Sequence, residues 1–192
     1  MLQTNTDIIQ YIRLLARRSE NCELKLCQLR AGELLCEQYR LVRNVLFINR
    51  GIAKAYHTEE NTKEFVLFIM GEGEAIGDWE ALGNHRIWVN SVVALTDIEF
   101  FSMAVPDFLR LCDNDHKLCR MLLTEISRQK SNALLRASYQ LQNPMKEVLK
   151  QLLNKVEEQK ISLTKYDMAS YLGIELRSVN RLLREIGNKN GI

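Results

Sequence analysis

The segment LTKYDMASYLGIELRSVNRLL, residues 163–183, decides how the C-terminal part of the chain folds. A helix-turn-helix needs a small residue inside its first helix, so that the second helix can approach closely, and a turn residue that tolerates a positive φ. Ala169 and Gly173 meet these two requirements, and Val179 is a β-branched residue where the second helix should cross the first. The other crossing positions are also apolar: Met168, Leu172, Ile174 and Leu182. The segment therefore predicts a helix-turn-helix.

The same segment carries polar residues at its start and on one helix face. Thr164 and Asp167 have the spacing of a capping box, which places the start of the first helix at Thr164. Away from its buried stripe, the second helix presents hydrogen-bonding or basic side chains: Arg177, Ser178, Asn180, Arg181 and Arg184. A plain helical hairpin with a glycine turn is the alternative, and it does not predict such a face.

This face predicts a surface that reads DNA. The N-terminal residues of a recognition helix enter the major groove, so the expected base-reading residues are Arg177, Ser178, Asn180 and Arg181. Backbone N–H groups at a helix start favour phosphate, so Thr164, Lys165 and Tyr166 are expected phosphate contacts. Arg184, on the basic face of the second helix, is expected to contact phosphate as well. The formal net charge of the chain is only +2, so DNA binding must depend on this local basic face.

The N-terminal half has a different periodicity. Between about residues 24 and 103, turn-prone stretches separate β-rich runs at 45–48, 64–69, 87–95 and 98–101. Short strands at nearly regular spacing predict an antiparallel sandwich or barrel. A front helix, roughly Thr6–Arg18, should pack against it.

After Met103 the apolar period becomes helical and predicts a long helix over 106–142 with a short break near 113–115. Its apolar stripe is narrow, which favours a seam with one partner helix, although packing on its own sheet is the alternative. The expected seam residues are Leu118, Leu122, Ile126, Gln129 and Ala133. Asn143 as N-cap and Pro144 as first helical residue should start the next helix, which divides the chain into domains 1–105, 106–142 and 143–192.

Composition narrows the class of protein. The 192 residues are 46% hydrophobic and 26% charged, as in ordinary globular proteins, and no apolar run approaches the roughly 20 residues that span a bilayer. No secretory signal is visible. The 5 cysteines contain no C-x-x-C pair, which argues against a disulfide framework or a tetrahedral zinc site and favours a cytoplasmic protein.

A β-rich domain, a long helix, a hinge and a helix-turn-helix, in this order, resemble the cyclic-AMP receptor and fumarate-nitrate reduction regulator (Crp/Fnr) family. In the β-rich half, LRAGELL at 29–35, LFINRG at 46–51 and GEAIGD at 73–78 are similar to the family's roll turns and loop. Residues 163–173 and 175–181 are similar to its first reading helix and recognition segment. The resemblance implies an α+β fold: an N-terminal antiparallel β-roll like that of cyclic nucleotide-binding domains, a dimerisation helix and a winged-helix-like C-terminal domain.

The resemblance also implies a function. It suggests a homodimeric transcription regulator that binds a pseudo-palindromic operator in double-stranded DNA, works with RNA polymerase and has no membrane partner. An effector bound by the roll would reposition the DNA-reading helices. The corresponding pocket would include Ile76, Gly77, Asp78, Arg86, Trp88 and Asn90.

Departures from the family pattern limit which effector is expected. Cyclic-AMP binders have Arg-Ser/Thr-Ala where this chain has Trp88-Val89-Asn90, and their arginine neutralises the cyclic phosphate. Arg86 could replace that arginine only if the loop shifted its register. We therefore expect a small-molecule effector other than cyclic AMP, or none. The family also continues into a β-hairpin wing. Since the sequence ends at Ile192, either the wing is short or missing, or the sequence is cut before it.

Other cofactors and enzymatic activity are not expected. Cys22, Cys27 and Cys36 are spaced more widely than the cysteines of the family's iron–sulfur sensors. Possible haem ligands would be His57, His85 and His116, which are isolated in sequence. Clustered histidines of the cupin type and common catalytic motifs are missing, so the chain should not be an enzyme. A dimeric interaction or ligand-sensing module that does not bind DNA is the remaining alternative.

Overall fold

The computed structural model describes residues 2–18, 23–59 and 63–187, which form nine strands and seven helices. The strands are Leu2–Gln3 (β1), Lys25–Leu29 (β2), Leu34–Cys36 (β3), Asn44–Arg50 (β4), Ala53–Thr58 (β5), Glu64–Met70 (β6), Ala75–Ile76 (β7), Ser91–Ala94 (β8) and Ile98–Ala104 (β9). The helices are Thr6–Arg18 (α1), Asp78–Leu82 (α2), Val105–Asn114 (α3), His116–Gln142 (α4), Met145–Glu158 (α5), Lys165–Leu172 (α6) and Leu176–Gly187 (α7).

The strands build a roll of two facing sheets. One sheet has the order β1-β6-β5-β8-β3 and the other β2-β9-β4-β7. All neighbours pair antiparallel except β1, which runs parallel to the end of β6. Ile48, Ala55, Val92 and Phe100 pack between the sheets in the core of the roll. The predicted α+β fold is confirmed.

The helix predicted over 106–142 is two helices, with the break where the sequence placed it. The Asp115 carboxylate accepts a hydrogen bond from the Leu118 backbone N–H at 3.0 Å and so caps the start of α4. The Tyr11 hydroxyl of α1 donates to the other carboxylate oxygen at 2.6 Å. The break is therefore held by the N-terminal helix.

The start of α5 differs by one residue from the sequence expectation. Pro144 is its N-cap rather than its first helical residue. Asn143 ends α4 instead of capping α5, since its side-chain amide donates to the Tyr139 carbonyl at 2.9 Å. This correction arises because an asparagine between two helices can cap either of them.

Three of the five expected seam residues of α4 contact other parts of this chain. Leu118 and Leu122 are fully buried in a core that they share with Ile8 of α1 and Phe108 of α3. Gln129 donates to the Glu74 carboxylate at 2.7 Å. The other two positions, Ile126 and Ala133, are half-buried. For Leu118 and Leu122 the alternative of packing within the chain applies, because the apolar period marks a buried face without revealing what covers it. A seam at Ile126 and Ala133 stays a prediction.

A second apolar stripe of α4 is exposed. Leu123, Leu134 and Leu141 are 60%, 63% and 88% exposed. Together with the smaller or polar residues between them they follow alternating steps of three and four residues: Leu123, Ser127, Lys130, Leu134, Ala137 and Leu141. We call this set the outer stripe. Steps of three and four are the spacing of a two-helix coiled coil.

The C-terminal helices pack on the roll rather than standing apart from it. Val66 and Ile69 of β6 lie in one core with Leu149 of α5, Met168 of α6 and Val179 of α7. Most of β6 lies at the edge of its sheet, because β1 pairs only with Ile69 and Met70. The helix-turn-helix therefore covers a sheet edge.

Candidate nucleic-acid interface

Helix α6, the first helix of the helix-turn-helix, begins as the sequence predicts. The Thr164 hydroxyl accepts a hydrogen bond from the Asp167 backbone N–H at 3.0 Å, and the Asp167 carboxylate accepts from the Thr164 N–H at 3.1 Å. This reciprocal pair is a capping box. The side chains of Thr164, Lys165 and Tyr166 are exposed at this helix start. The three predicted phosphate contacts of α6 are thus open to a ligand.

The turn and the helix crossing also follow the sequence prediction. Gly173 has a φ of +67°, a left-handed conformation that ends α6. Val179 is fully buried where α7 crosses α6, and Ala169 and Leu182 are buried beside it. The small residue, the glycine and the β-branched residue therefore have the roles that their spacing predicted.

The polar face of α7 points to solvent. The side chains of Arg177 and Arg181 are 84% and 70% exposed. Arg184 is exposed as well, while two neighbours are half-buried: Ser178 and Asn180. The structure thus brings the predicted base-reading residues to one side of one helix.

Two of these arginines have acidic neighbours. Arg177 forms an ion pair with Glu175, and Arg181 lies 3.7 Å from the Glu185 carboxylate. Exposed pairs of this kind contribute little, typically about 0–1 kcal/mol. Phosphates and base edges can therefore compete for both guanidinium groups.

Sequence reasoning missed the contacts that fix α6 on the roll. Lys54 of β5 forms an ion pair with Asp167. The Ser170 hydroxyl accepts from the Val66 N–H at 3.1 Å and donates to the Glu64 carbonyl at 2.8 Å. It thereby gives two backbone groups at the free edge of β6 their hydrogen-bond partner. Burial alone would raise the pKa of Asp167, but hydrogen bonds from Lys54 and Thr164 lower it below its ordinary value. No sequence spacing signals contacts between residues more than 100 positions apart.

The predicted effector pocket in the roll is nearly filled. A cavity of about 40 Å³ is lined by five of the six expected residues: Ile76, Gly77, Asp78, Trp88 and Asn90. Arg86 is exposed and does not line it. The Trp88 indole lies against Gly77, where an added Cβ would come within 2.6 Å of the ring. The space suits a few water molecules at most, since one water needs roughly 10–15 Å³.

The walls of this small cavity are acidic. Asp78 and Glu80 are both buried, and burial raises the pKa of Asp78 to about 6 and that of Glu80 to about 7. One oxygen of each carboxyl group has no hydrogen-bond partner in the described part of the chain. A phosphate anion would meet carboxyl groups here, which is the opposite of what its charge requires. Glu80 was not among the residues predicted for the pocket.

A cluster of two buried carboxylates, Glu74 and Glu125, links the roll to α4. Arg128 contacts both Glu74, at 2.7 Å, and Glu125. Asn5 donates to Glu125 at 2.7 Å. Burial and the neighbouring Glu125 raise the pKa of Glu74 well above its ordinary range, because one guanidinium group balances two buried carboxyl groups. This cluster fixes α4 and the N-terminus on the roll.

Some sequence expectations fall outside the described residues: Cys22 and the chain end at 188–192, where a wing would begin. Four described cysteines are free thiols: Cys27, Cys36, Cys112 and Cys119. Within residues 2–18, 23–59 and 63–187, no group of three or more His, Cys, Asp or Glu side chains is arranged to hold a metal ion. None of the helices in these ranges combines the length and apolarity of a membrane span.

Comparison with known proteins supports the resemblance found in the sequence. Residues 26–115 match the cyclic nucleotide-binding domain family. Among curated protein sequences, none is significantly similar to this chain.

Solved structures share the fold over most of the chain. The c-di-GMP responsive global regulator CLP of Xanthomonas campestris is 13% identical, with a TM-score of 0.80 over 97% of this chain and 93% of that one. FixK2 of Bradyrhizobium japonicum is 15% identical, with a TM-score of 0.70 over 88% and 86%. A CRP/FNR-family transcriptional regulator of Thermus thermophilus, TTHA1359, is 16% identical, with a TM-score of 0.72 over 86% and 87%. At these identities the likeness establishes the fold.

Proposed function

Because residues 26–115 match the cyclic nucleotide-binding domain family and the chain has the fold of Crp/Fnr transcription regulators, we propose that it binds specific sequences in double-stranded DNA as a homodimer and regulates transcription. It acts by binding and not by catalysis, in the cytoplasm. The observation that carries the proposal is the exposed polar face of α7 on a correctly packed helix-turn-helix. Arg177 and Arg181 can pair with guanine, and Asn180 with adenine.

The outer stripe supports the dimer. Its three leucines leave a large apolar area in water, which a second copy of α4 would cover. Lys130 and Ser127 within the stripe are tolerated in a seam of limited stability. A homodimer presents two copies of α7, and two-fold symmetry then requires a pseudo-palindromic operator with half-sites about 34 Å apart.

The effector is proposed to be something other than a cyclic nucleotide in the roll. The roll cavity holds about 40 Å³, has Trp88 against Gly77 and is lined by two carboxyl groups. Both its size and its charge argue against a cyclic phosphate. Contact with RNA polymerase, which the resemblance implies, stays a prediction.

A pair of substitutions on the reading helices tests the DNA-binding proposal. Arg181→Ala should weaken binding to the preferred duplex by about 1–3 kcal/mol and relax the preference at particular bases, because this side chain reads base edges. Lys165→Ala should weaken binding to all duplexes alike and reduce the salt dependence, because this side chain contacts phosphate. Fluorescence anisotropy with labelled duplexes at several salt concentrations measures both effects.

Arg17→Ala is the matched control, since Arg17 is an exposed arginine of α1, far from the helix-turn-helix in sequence. It should bind DNA like the unchanged protein. If Arg181→Ala and Lys165→Ala bind DNA as tightly as this control does, the helix-turn-helix is not the reading surface. If the unchanged protein itself binds no duplex, the interaction module without DNA binding becomes the better account.

A further inference from the structure

A second cavity lies where the roll meets the C-terminal helices. It has a volume of about 390 Å³, within the range of roughly 300–1,000 Å³ that small-molecule sites occupy. Each surrounding element contributes to its wall: Gln3 of β1, Phe68 of β6, Arg136 and Tyr139 of α4, Lys155 of α5 and Tyr171 of α6. We call it the junction cavity. It is separate from the small roll cavity, with which it shares only Phe68.

The charged residues that line the junction cavity are all basic. Arg136 and Lys155 line it, and no Asp or Glu does. Within the described part of the chain, neither cation forms an ion pair with a carboxylate. Two cations that share a recess without a counter-ion favour an anionic ligand. The roll cavity, lined by Asp78 and Glu80, has the opposite character.

Arg136 is held in position by the roll and by α6. Its Nη1 donates to the Leu67 carbonyl at 2.7 Å, and its guanidinium lies 4.6 Å from the ring centre of Tyr171 and 5.7 Å from that of Phe65. A guanidinium fixed in this way still has N–H donors on its other nitrogens, in the planar fork that fits carboxylate and phosphate. The side chain is therefore preorganised for an oxyanion.

Gln3 of β1 is a buried polar residue in the cavity wall, and its Oε1 has no hydrogen-bond partner in the described residues. That oxygen is closed to water, and therefore also to a donor atom of a ligand in the cavity. Gln3 thus bounds the cavity without bonding to a ligand there. The remaining wall is mainly aromatic or aliphatic, with Phe68, Leu135, Tyr139 and Leu152. These surfaces suit an apolar body.

We propose that the junction cavity binds a small organic anion, with a carboxylate or phosphate-type head group and an apolar body. Arg136 and Lys155 bind the head group, and the aromatic and leucine side chains contact the body. Because this ligand would touch the roll, α4, α5 and α6 together, it would fix the orientation of the reading helices. That regulatory part rests on the proposed DNA-binding function, whereas the binding site does not.

Ligand binding to the full chain without DNA tests the site. The probes are 4-hydroxyphenylacetate for a carboxylate head group, 4-hydroxyphenylphosphonate for a phosphate-type head group and the uncharged 4-hydroxyphenylacetamide. Saturation-transfer NMR titrations should give dissociation constants near about 1 mM for the better anion, as expected for a fragment, with the amide about tenfold weaker. Whichever anion binds more tightly identifies the head group.

Substitutions at Lys155 show where the anions bind. Lys155→Gln should weaken anion binding about tenfold, which corresponds to about 1.4 kcal/mol, while Lys155→Arg should retain it. Lys150→Gln is the matched control, because Lys150 lies on the same helix but is paired with Glu147 and does not line the cavity. Arg136→Gln should also lose the anion. If that variant does not fold, the comparison of Lys155→Gln with Lys155→Arg decides whether the anion binds in the junction cavity.

Three results would overturn the site. The first is that neither anion binds at about 10 mM, which is about ten times the expected dissociation constant. The others are that the amide binds as tightly as the anions, or that Lys150→Gln and Lys155→Gln weaken anion binding equally. DNA affinity, measured separately with and without the tighter anion, tests the regulatory part. A change of about fivefold or more is expected for an allosteric effector. Binding of the anion with unchanged DNA affinity would refute the regulatory part and leave the site in place.

Discussion

Trp88 and Gly77 together determine what the roll can hold. Glycine leaves space beside the β7–α2 connection, and the Trp88 indole fills that space from the opposite side. The remaining 40 Å³ cavity is bounded by the buried carboxyl groups of Asp78 and Glu80. In this roll, the residues that would surround a nucleotide instead form part of the protein's own core.

Sequence alone predicted part of this arrangement. In the sequence, Trp88 takes the place of the arginine in the Arg-Ser/Thr-Ala segment of cyclic-AMP binders, which argues against a phosphate ligand. The direction of the tryptophan ring and the burial of Glu80 were not predictable, because both depend on how the 77–90 loop folds back across the sheet. Arg86 has the charge for a ligand contact, but its exposed position shows that charge does not predict location.

Asp78 and Glu80 should make the stability of the protein depend on pH. Burial raises their pKa values to about 6 and about 7, from 3.8 and 4.5, so the folded state binds protons more tightly than the unfolded state does. Their contribution is fully present below about pH 4 and is lost as the pH rises through 6 and 7. Each shift corresponds to at most about 3 kcal/mol.

Urea unfolding at pH 5 and pH 8 measures this effect. The unchanged protein should lose more stability between these pH values than the double variant Asp78→Asn, Glu80→Gln. Asp113→Asn, at an exposed position of α3, serves as the control and should lose as much as the unchanged protein. Equal losses for all three proteins would show that the two buried carboxyl groups do not titrate as described.

At the scale of elements, the helix-turn-helix and α4 differ in how much their sequences reveal. In the helix-turn-helix the required residues lie within about 20 positions of one another, so spacing alone predicted the cap at Thr164, the turn at Gly173 and the crossing at Val179. In α4 both an inner and an outer stripe are apolar. Contacts from distant parts of the chain decide which one is buried, and the sequence did not reveal that Leu118 and Leu122 pack within the chain.

The contact between α6 and the roll gives a prediction about element stability. Lys54 and Asp167 are both largely buried, with side-chain exposures of 13% and 6%. Lys54→Met should destabilise the protein by about 3 kcal/mol, because it leaves the Asp167 carboxylate buried without its partner. Thermal or urea unfolding measures the loss.

A double variant separates the ion pair from simple packing. Asn at position 167 can still accept the hydrogen bond that caps α6, so Lys54→Met combined with Asp167→Asn should recover part of the lost stability. If the two single losses simply add, Lys54 and Asp167 do not interact in solution and α6 is held by its apolar contacts alone.

At the scale of the whole molecule, one chain provides half of the proposed reading surface. The roll supports α6 through β5 and β6, and α4 connects the roll to the reading helices. In the proposed dimer, the outer stripe of α4 would determine how two such halves are combined. The order of these parts was predictable from sequence, but their mutual packing was not, since the reading helices share a core with β6.

The outer stripe gives a prediction about assembly. Leu134→Glu places a charge in the middle of the seam and should convert the dimer to a monomer, as measured by sedimentation or light scattering. Leu135→Glu is the matched control, because Leu135 is similarly exposed, at 69%, but lies beside the stripe. It should remain dimeric. Equal behaviour of the two variants would place the dimer contact elsewhere.

Selection of bound duplexes from a random DNA pool by the full chain tests the central claim most directly, because it requires both the reading face of α7 and the pairing of two copies. The account predicts enrichment of an inverted repeat whose half-site centres lie about 10 base pairs apart, and loss of that repeat with Arg181→Ala. A pool that stays random after repeated selection, or an enriched sequence that Arg181→Ala selects equally well, would contradict it.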